Sequence, residues 1–472
     1  MALLLGSSVF GQWQPPVRLT YHDAISTTFL NHAWCIDAQS DTVHVVWDEY
    51  AEGCWEVYAR NSYDGGITWT NSVRLSDSMA ASQNGHLAVW RQQVHVVWRD
   101  DQPGNEEIFY CRSFDAGLTW SPSKRLTQDA GISTSPSVAA NDSIIHLVWS
   151  DNRTGHNEIF YKRSTDRGIT WEADIQLSSG TYASLFPSVA SAASRVHVVW
   201  TAGWEIYHVR SLDNGLTWEE TERLTYDPAV SWLPSVAVSD TIVHVLWHDQ
   251  RAGYIDVFYV RSIDGGITWL SDTNLTANSA NSNIPCLAVA GSMVHIAWYD
   301  NRDGNYEIYY KRSANHGESW EDDLRLTTDD AVSKAPCCAA SGSRVHVVWT
   351  DLRDENWEIY YMQDPTGNAI KDTDAGHRIV CQRWNVMLMP NPFRTVTRIG
   401  IETGQNPESF NVKIYDATGR LIKSFYPMPH TCSNSLVWDG TDDTGRALPA
   451  GIYFVFLFTD EYVRTVSAVL LR

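Results

Sequence analysis

The chain has 472 residues, room for more than one domain, and 43% of them are hydrophobic. Against 35 Lys and Arg stand 56 Asp and Glu, a net charge of −21 that argues against nucleic acid or an anionic membrane as partner and suits a soluble extracellular protein. No run of about 18 or more apolar residues marks a transmembrane segment.

Residues 1–11 read as the apolar core of a signal peptide, with Val9 and Gly11 ahead of a cleavage point but without a basic leader. A repeat then begins. The phrase Val-His-Val-Val-Trp, or a close variant, ends at Trp47, Trp98, Trp149, Trp200, Trp247, Trp298 and Trp349, at intervals of 51 residues with one of 47. Short alternating runs rich in Val, Ile, Trp and Tyr fill each period, and Gly, Asp, Asn and Ser punctuate it. That content at that length indicates a β-propeller with one four-stranded blade per repeat. In the third repeat, strands are expected over Pro136–Ala140, Ile145–Trp149 and Glu158–Arg163, with a fourth from Thr170-Trp171 to Gln176-Leu177-Ser178. Pro136 would take the strand's first position, where a missing donor is tolerated.

The third and fourth strands are joined by Ser-x-Asp-x-Gly-x-Thr-Trp, at Ser62–Trp69, Ser113–Trp120, Ser164–Trp171, Ser211–Trp218 and Ser262–Trp269, and in degenerate form at Ser313–Trp320. The Asp can accept turn amides, the Gly can take positive φ, and the Trp can pack between sheets. The turn resembles the Asp-box of the sialidase superfamily, a structural element that also occurs in propellers that are not sialidases. The seventh repeat has Glu358-Ile359-Tyr360-Tyr361 but no such turn and no fourth strand after it. Gln14-Pro15-Pro16-Val17-Arg18-Leu19-Thr20 matches a fourth strand with no blade before it. Val17–Thr20 is therefore predicted to pair with Glu358–Tyr361, giving an all-β, seven-bladed propeller over residues 12–363 with two open edges removed.

Residues 364–383 are a Gly/Asp/Thr-rich linker. From Trp384 to Arg472 a different β pattern carries Pro390-Asn391-Pro392-Phe393, Tyr415-Asp416-Ala417-Thr418-Gly419, Trp438-Asp439-Gly440 and Pro449-Ala450-Gly451-Ile452-Tyr453. It resembles the immunoglobulin-like β-sandwich shared by type IX secretion sorting domains and flagellar hook-capping proteins. The resemblance implies export, surface attachment or sorting, with secretion or cell-surface machinery as a partner.

In a four-stranded meander the Asp-boxes share one face with the one–two turns. The other face carries the two–three loops and the blade-to-blade loops, and sialidases place their active site there. Trp55, Trp204 and Trp357 fall in two–three loops with Tyr306 at the matching place, and Trp232 lies in a blade-to-blade loop. Such aromatic faces suit stacking on sugars, or packing between loops. The pairs Asp249/Arg251, Asp300/Arg302 and Asp351/Arg353 invite comparison with the three arginines that hold the substrate carboxylate in sialidases, although a local ion pair is simpler. Asp23 or Glu49 could serve as an acid and Tyr21 or Tyr306 as a nucleophile. The Phe/Tyr-Arg-Ile-Pro motif of sialidases has no counterpart beyond Pro16–Thr20, which belongs to the strand repeat.

Two irregularities stand out on that face. The first blade-to-blade loop, Tyr21–His32, is five residues longer than the others, and the loop Thr201-Ala202-Gly203-Trp204 is four shorter. The seven repeated histidines fall one to a blade and so do not converge on a metal, and neither metal nor cofactor is expected. Cys35, Cys286 and Cys337 stand where Ser137 stands in another blade and read as small core residues, not as a disulfide framework. Three functions remain open: a glycan- or glycoprotein-binding propeller, a retaining sialidase-like glycoside hydrolase, and a structural or protein-binding surface module.

Overall fold

The computed structural model describes residues 13–21, 24–28, 35–76, 80–365, 385–389, 391–402, 411–416, 420–425, 434–458 and 463–471. The chain forms two compact units, Met1–Ile370 and Lys371–Arg472. In the first, seven antiparallel sheets follow one another, six of four strands and one, blade one, of five. The third blade is representative: Ser133–Asn141, Ile144–Asp151, Glu158–Ser164 and Ile175–Gln176. In the seventh, Ser333–Ser341, Arg344–Asp351 and Glu358–Asp364 are completed by Val17–Arg18, with Val17 opposite Tyr361 and Arg18 opposite Tyr360. Blade seven meets blade one through the Ser40 amide, which donates to Ser341 Oγ at 2.7 Å, and through Arg344 on Asp41 at 2.5 Å.

The second strand is apolar on both faces because both faces pack on neighbouring blades, which is why its sequence is so uniform. Its Trp is buried in every blade. In blade three the Trp149 ring stacks on Phe160 at 5.9 Å, and Trp149 Nε1 donates to Asp151 at 2.9 Å. His146 Nδ1 lies 2.8 Å from the Tyr161 hydroxyl, and burial pushes its pKa down to about 3, so the repeated histidines are neutral struts.

The Asp-box works as a clamp between blades. Asp166 accepts the Thr170 amide at 2.8 Å and the Thr170 hydroxyl at 2.6 Å, Gly168 N donates to Ser164 Oγ at 2.8 Å, and Arg167 N donates to the Ser143 carbonyl of the one–two turn at 2.9 Å. Trp171 then packs edge-on against Tyr110 of the preceding blade, at 5.1 Å. The same pairing joins Trp218 to Tyr161, Trp320 to Tyr259 and Trp69 to Tyr361. Blade seven has no Asp-box, and Trp13 supplies the missing ring, 5.0 Å from Tyr310 of blade six.

Three strand boundaries differ from the sequence expectation. The fourth strand is a two-residue ladder, Ile175–Gln176, because Thr170 and Trp171 belong to the clamp. The inner strand begins at Ser133 and runs through Pro136, because Ser135 adopts φ 54° and makes a bulge where the missing donor costs nothing. In blade one, Ile25–Thr27 already lies on the second strand, with Ser26 opposite Glu49, and the inner strand resumes at Ile36–Gln39. The five extra residues therefore fall between Thr27 and Ile36; Leu19 and Ser26 are seven positions apart, as are Leu126 and Ser133.

The Asp166 carboxyl is held down to about 2, chiefly by the Thr170 hydroxyl and then by the Thr170 amide. A carboxyl depressed on folding adds stability above its unfolded value of about 4, and that stability is lost as the pH falls through the folded one. Asp166→Ala is expected to cost about 1–3 kcal/mol near neutral pH, with the gap from wild type narrowing below about pH 4. Urea unfolding at the two pH values checks this; a gap that stays constant would mean the carboxylate is not what the clamp holds.

The second unit is a sandwich. Asn385–Met389, Thr397–Glu402 and Asn434–Trp438 form one sheet, and Leu421–Phe425, Asn411–Asp416, Gly451–Phe458 and Val463–Leu470 the other. Ile399 and Leu436 of the first share a core with Val412, Ile414 and Val455 of the second around the buried Trp438. Trp438 packs between Phe393 and Tyr453, each at 5.3 Å.

Candidate functional site

On the face opposite the clamps, six of the seven blades close around one buried carboxylate two residues after the repeated Trp; blade four has Ala202 there. Asp151 accepts Ser133 Oγ at 2.8 Å, Trp149 Nε1 at 2.9 Å, Arg153 N at 2.9 Å and the Arg153 guanidinium at 2.6 Å. Inner strand, second strand and two–three loop thus share one acceptor. Arg251, Arg302 and Arg353 repeat this arrangement on Asp249, Asp300 and Asp351, each at 2.7 Å. Arg251 and Arg302 also reach Asp272 and Asp323 at 2.6 Å, and all three guanidinium groups lie 4.3 Å over a third-strand ring: Phe258, Tyr309 and Tyr360. Burial pushes the Asp249 carboxyl up, but hydrogen bonds from Arg251, Trp247 and Ser231 outweigh it and leave it below its usual range. Each guanidinium is held on its own blade.

Glu49 is blade one's version of the same acid. It accepts Trp47 Nε1 at 3.0 Å and Ser26 Oγ at 3.4 Å and is buried. Tyr21 sends its hydroxyl to the Arg18 carbonyl at 2.8 Å, beside the closing strand. Asp23 lies outside the described residues.

The five aromatics expected on this face do not form one rim. Trp55 packs on Tyr50 at 5.4 Å. Tyr306 packs on Tyr299 at 5.2 Å, under Lys334 Nζ at 4.7 Å. Trp357 is half-buried, and its carbonyl accepts Ser26 N at 2.8 Å. Only Trp204 and Trp232 come together, with ring centres 6.2 Å apart.

That pair stands where the two–three loop is short. Ala202 pairs directly with Glu205, and Gly203 and Trp204 make the turn with φ of 58° and 69°. Positive φ at both central residues is the hairpin geometry that favours Asn-Gly, and a Trp there is strained. Its ring is nonetheless 58% exposed. Trp232 lies beneath, stacked at 4.9 Å on His248 and edge-on to Phe186 at 6.4 Å. Tyr182, 65% exposed, lies over Gly203. His248 is buried, and burial pushes its pKa down to about 3, so it adds no charge. The result is an uncharged aromatic platform between blades four and five.

His248, Phe186 and Tyr182 were not anticipated. A signal for His248 existed: the residue after the repeated Trp varies (Asp48, Arg99, Ser150, Thr201, His248, Tyr299, Thr350) inside a phrase that is otherwise nearly constant. These positions reach the next blade's bulge. Asp48 accepts Asn84 N at 2.8 Å, Leu233 N donates to Thr201 Oγ1 at 3.2 Å, and Thr28 N donates to Thr350 Oγ1 at 2.8 Å. Among the described residues no group of three or more His, Cys, Asp or Glu is placed to hold a metal ion, and no helix is long and apolar enough to cross a membrane.

Residues 393–457 match the FlgD Ig-like domain. No curated protein sequence matches the chain. Among solved structures, the polysaccharide lyase Uly1 is similar with a TM-score of 0.51 at 9% identity, over 78% of this chain and 94% of its own. A Trypanosoma rangeli sialidase gives a TM-score of 0.42 at 10% identity, over 85% of this chain and 86% of its own. PorZ, a surface component of the type-IX secretion system of Porphyromonas gingivalis, gives 0.42 at 12% identity, over 94% of this chain and 60% of its own. The first unit is a β-propeller built on Asp-box turns, similar in fold to Uly1, and the second carries a FlgD Ig-like domain.

Proposed function

We propose that the propeller is an exported module that binds uncharged sugars on the platform of Trp204, Trp232 and Tyr182 without hydrolysing them, and that the immunoglobulin-like module tethers it at the cell surface or to secretion machinery. The observation that carries the sugar reading is Trp204, a large ring displayed to solvent from a backbone conformation that disfavours it. Strain of this kind persists where a function needs the side chain in place. A sugar ring presents apolar C–H faces that stack on indole, and a platform without a cation suits neutral rather than acidic sugars. The arginines speak against a carboxylate clamp, since Arg251, Arg302 and Arg353 each already hold carboxylates of their own blade. The tethering role rests on the match of residues 393–457 to the FlgD Ig-like domain.

A glycan array carrying neutral and sialylated structures, probed with the full chain and with Trp204→Ala, tests the reading. Wild type should bind a subset of neutral glycans. Trp204→Ala should weaken that binding at least about tenfold with the melting temperature within about 2 °C, because the ring is mostly exposed in the free protein. No glycan binding, or binding indifferent to Trp204 and Trp232, would remove the platform from the function and favour a structural or protein-binding module.

A further inference from the structure

The inner strands of neighbouring blades lie side by side around the ring, and one position on them forms a belt: Cys35, His86, Ser137, Ser188, Ser235, Cys286 and Cys337. In blades two to five this belt is polar, and in blades two to four it reaches the next blade, as where Val189 N donates to Ser137 Oγ at 3.2 Å and Val236 N to Ser188 Oγ at 3.2 Å. Around blade seven it is made of thiols. Cys286 Sγ of blade six lies 3.3 Å from Cys338 Sγ of blade seven, and Cys35 of blade one shares a buried cluster with Cys337 of blade seven. Successive side chains on a strand point to opposite faces, so the adjacent Cys337 and Cys338 address the two different neighbours. All four residues are buried.

We propose that these thiols are oxidised to two disulfides, Cys286–Cys338 and Cys35–Cys337, that staple the closing blade to both of its neighbours. Blade seven is where such staples matter, because it is the one blade assembled from the two ends of the propeller chain and therefore depends on a long-range closure. The sulfur atoms of the first pair need to approach by little more than 1 Å, from 3.3 Å to a bond of about 2 Å. Each bridge forms by thiol–disulfide exchange with a disulfide oxidant. One thiolate attacks the oxidant's sulfur and releases one reduced thiol, then the second cysteine loses its proton and displaces the other. Two protein thiols and one oxidant disulfide become one protein disulfide and two oxidant thiols. Burial raises the Cys35 and Cys286 thiols well above their ordinary value, so the exchange belongs to folding, before the ring shuts and shields them.

The test is to refold the full chain in oxidised and reduced glutathione, block the remaining thiols with an alkylating agent, and digest with trypsin without reduction. Residues 19–60, 262–302 and 335–344 should travel as one three-peptide assembly, lighter by two hydrogen atoms per bridge, and fall apart on reduction. Cys286→Ser, the residue natural to this position in blades three to five, should release 262–302 alone. Reductant added before refolding should lower the melting temperature by a few degrees. Full alkylation of Cys35, Cys286, Cys337 and Cys338 after oxidative refolding, or bridges that join other cysteines, would overturn the proposal.

Discussion

Removing residues 13–20 is expected to abolish folding or to cost at least about 5 kcal/mol. The segment makes four separate contributions to closure. Val17 and Arg18 form the ladder that covers the edge of Glu358–Asp364. Leu19 is buried, its amide donates to the Ile359 carbonyl at 2.7 Å, and its carbonyl accepts from Arg60 of blade one. Thr20 donates to the buried Glu358, which Arg18 also meets at 2.7 Å. Without the segment Glu358 loses two of its partners, the open edge meets solvent, and Tyr310 loses the ring of Trp13. Leu19→Ala alone should cost about 2–5 kcal/mol while leaving the fold measurable. Chemical denaturation checks both; a shortened chain as stable as the full one would mean that the last blade closes by other means.

The second large effect is expected at the Asp-box glycines. Gly168 has φ of 78°, and a Cβ there would fall on the Tyr110 hydroxyl of the preceding blade, where Trp171 is also seated. The neighbour cannot yield without breaking the Tyr110 bond to His95, at 2.7 Å. Gly168→Ala should therefore cost about 3–5 kcal/mol. Gly155 is the control: its φ is 106°, but nothing lies within 4 Å of the added carbon. Gly155→Ala should cost only about 1 kcal/mol, from backbone strain. Equal costs at the two sites would show that conformation, not the contact between blades, accounts for the glycine in the motif.

The propeller was legible because its second strand is apolar on both faces, which leaves little freedom to vary and makes Trp47 to Trp349 recur in register. The closing strand was legible for the same reason, since Val17–Thr20 repeats Arg125-Leu126-Thr127 in kind. Trp13 was not, because its role depends on Tyr310, nearly 300 residues away, and only the ring geometry joins them. The five extra residues of blade one were counted correctly but placed too early, since only the pairing of Ser26 with Glu49 shows where the strand starts. The candidate site was legible in part. Loop length singled out Trp204, and the Asp-x-Arg spacing already favoured local ion pairs. What sequence could not supply was direction: Trp55, Tyr306 and Trp357 hold equivalent positions to Trp204, yet each meets neighbours of its own blade or of the seam.

The claim most open to direct attack is that this face binds and does not catalyse. Hydrolysis of a fluorogenic sialoside, measured together with thermal unfolding for wild type and Arg302→Ala, decides it. Arg302 holds the fully buried Asp300 and the ring of Tyr309, so its loss should cost about 2–4 kcal/mol and lower the melting temperature, with no turnover by either protein. Turnover by wild type that Arg302→Ala abolishes at an unchanged melting temperature would contradict the account, and would make the arginine a substrate ligand.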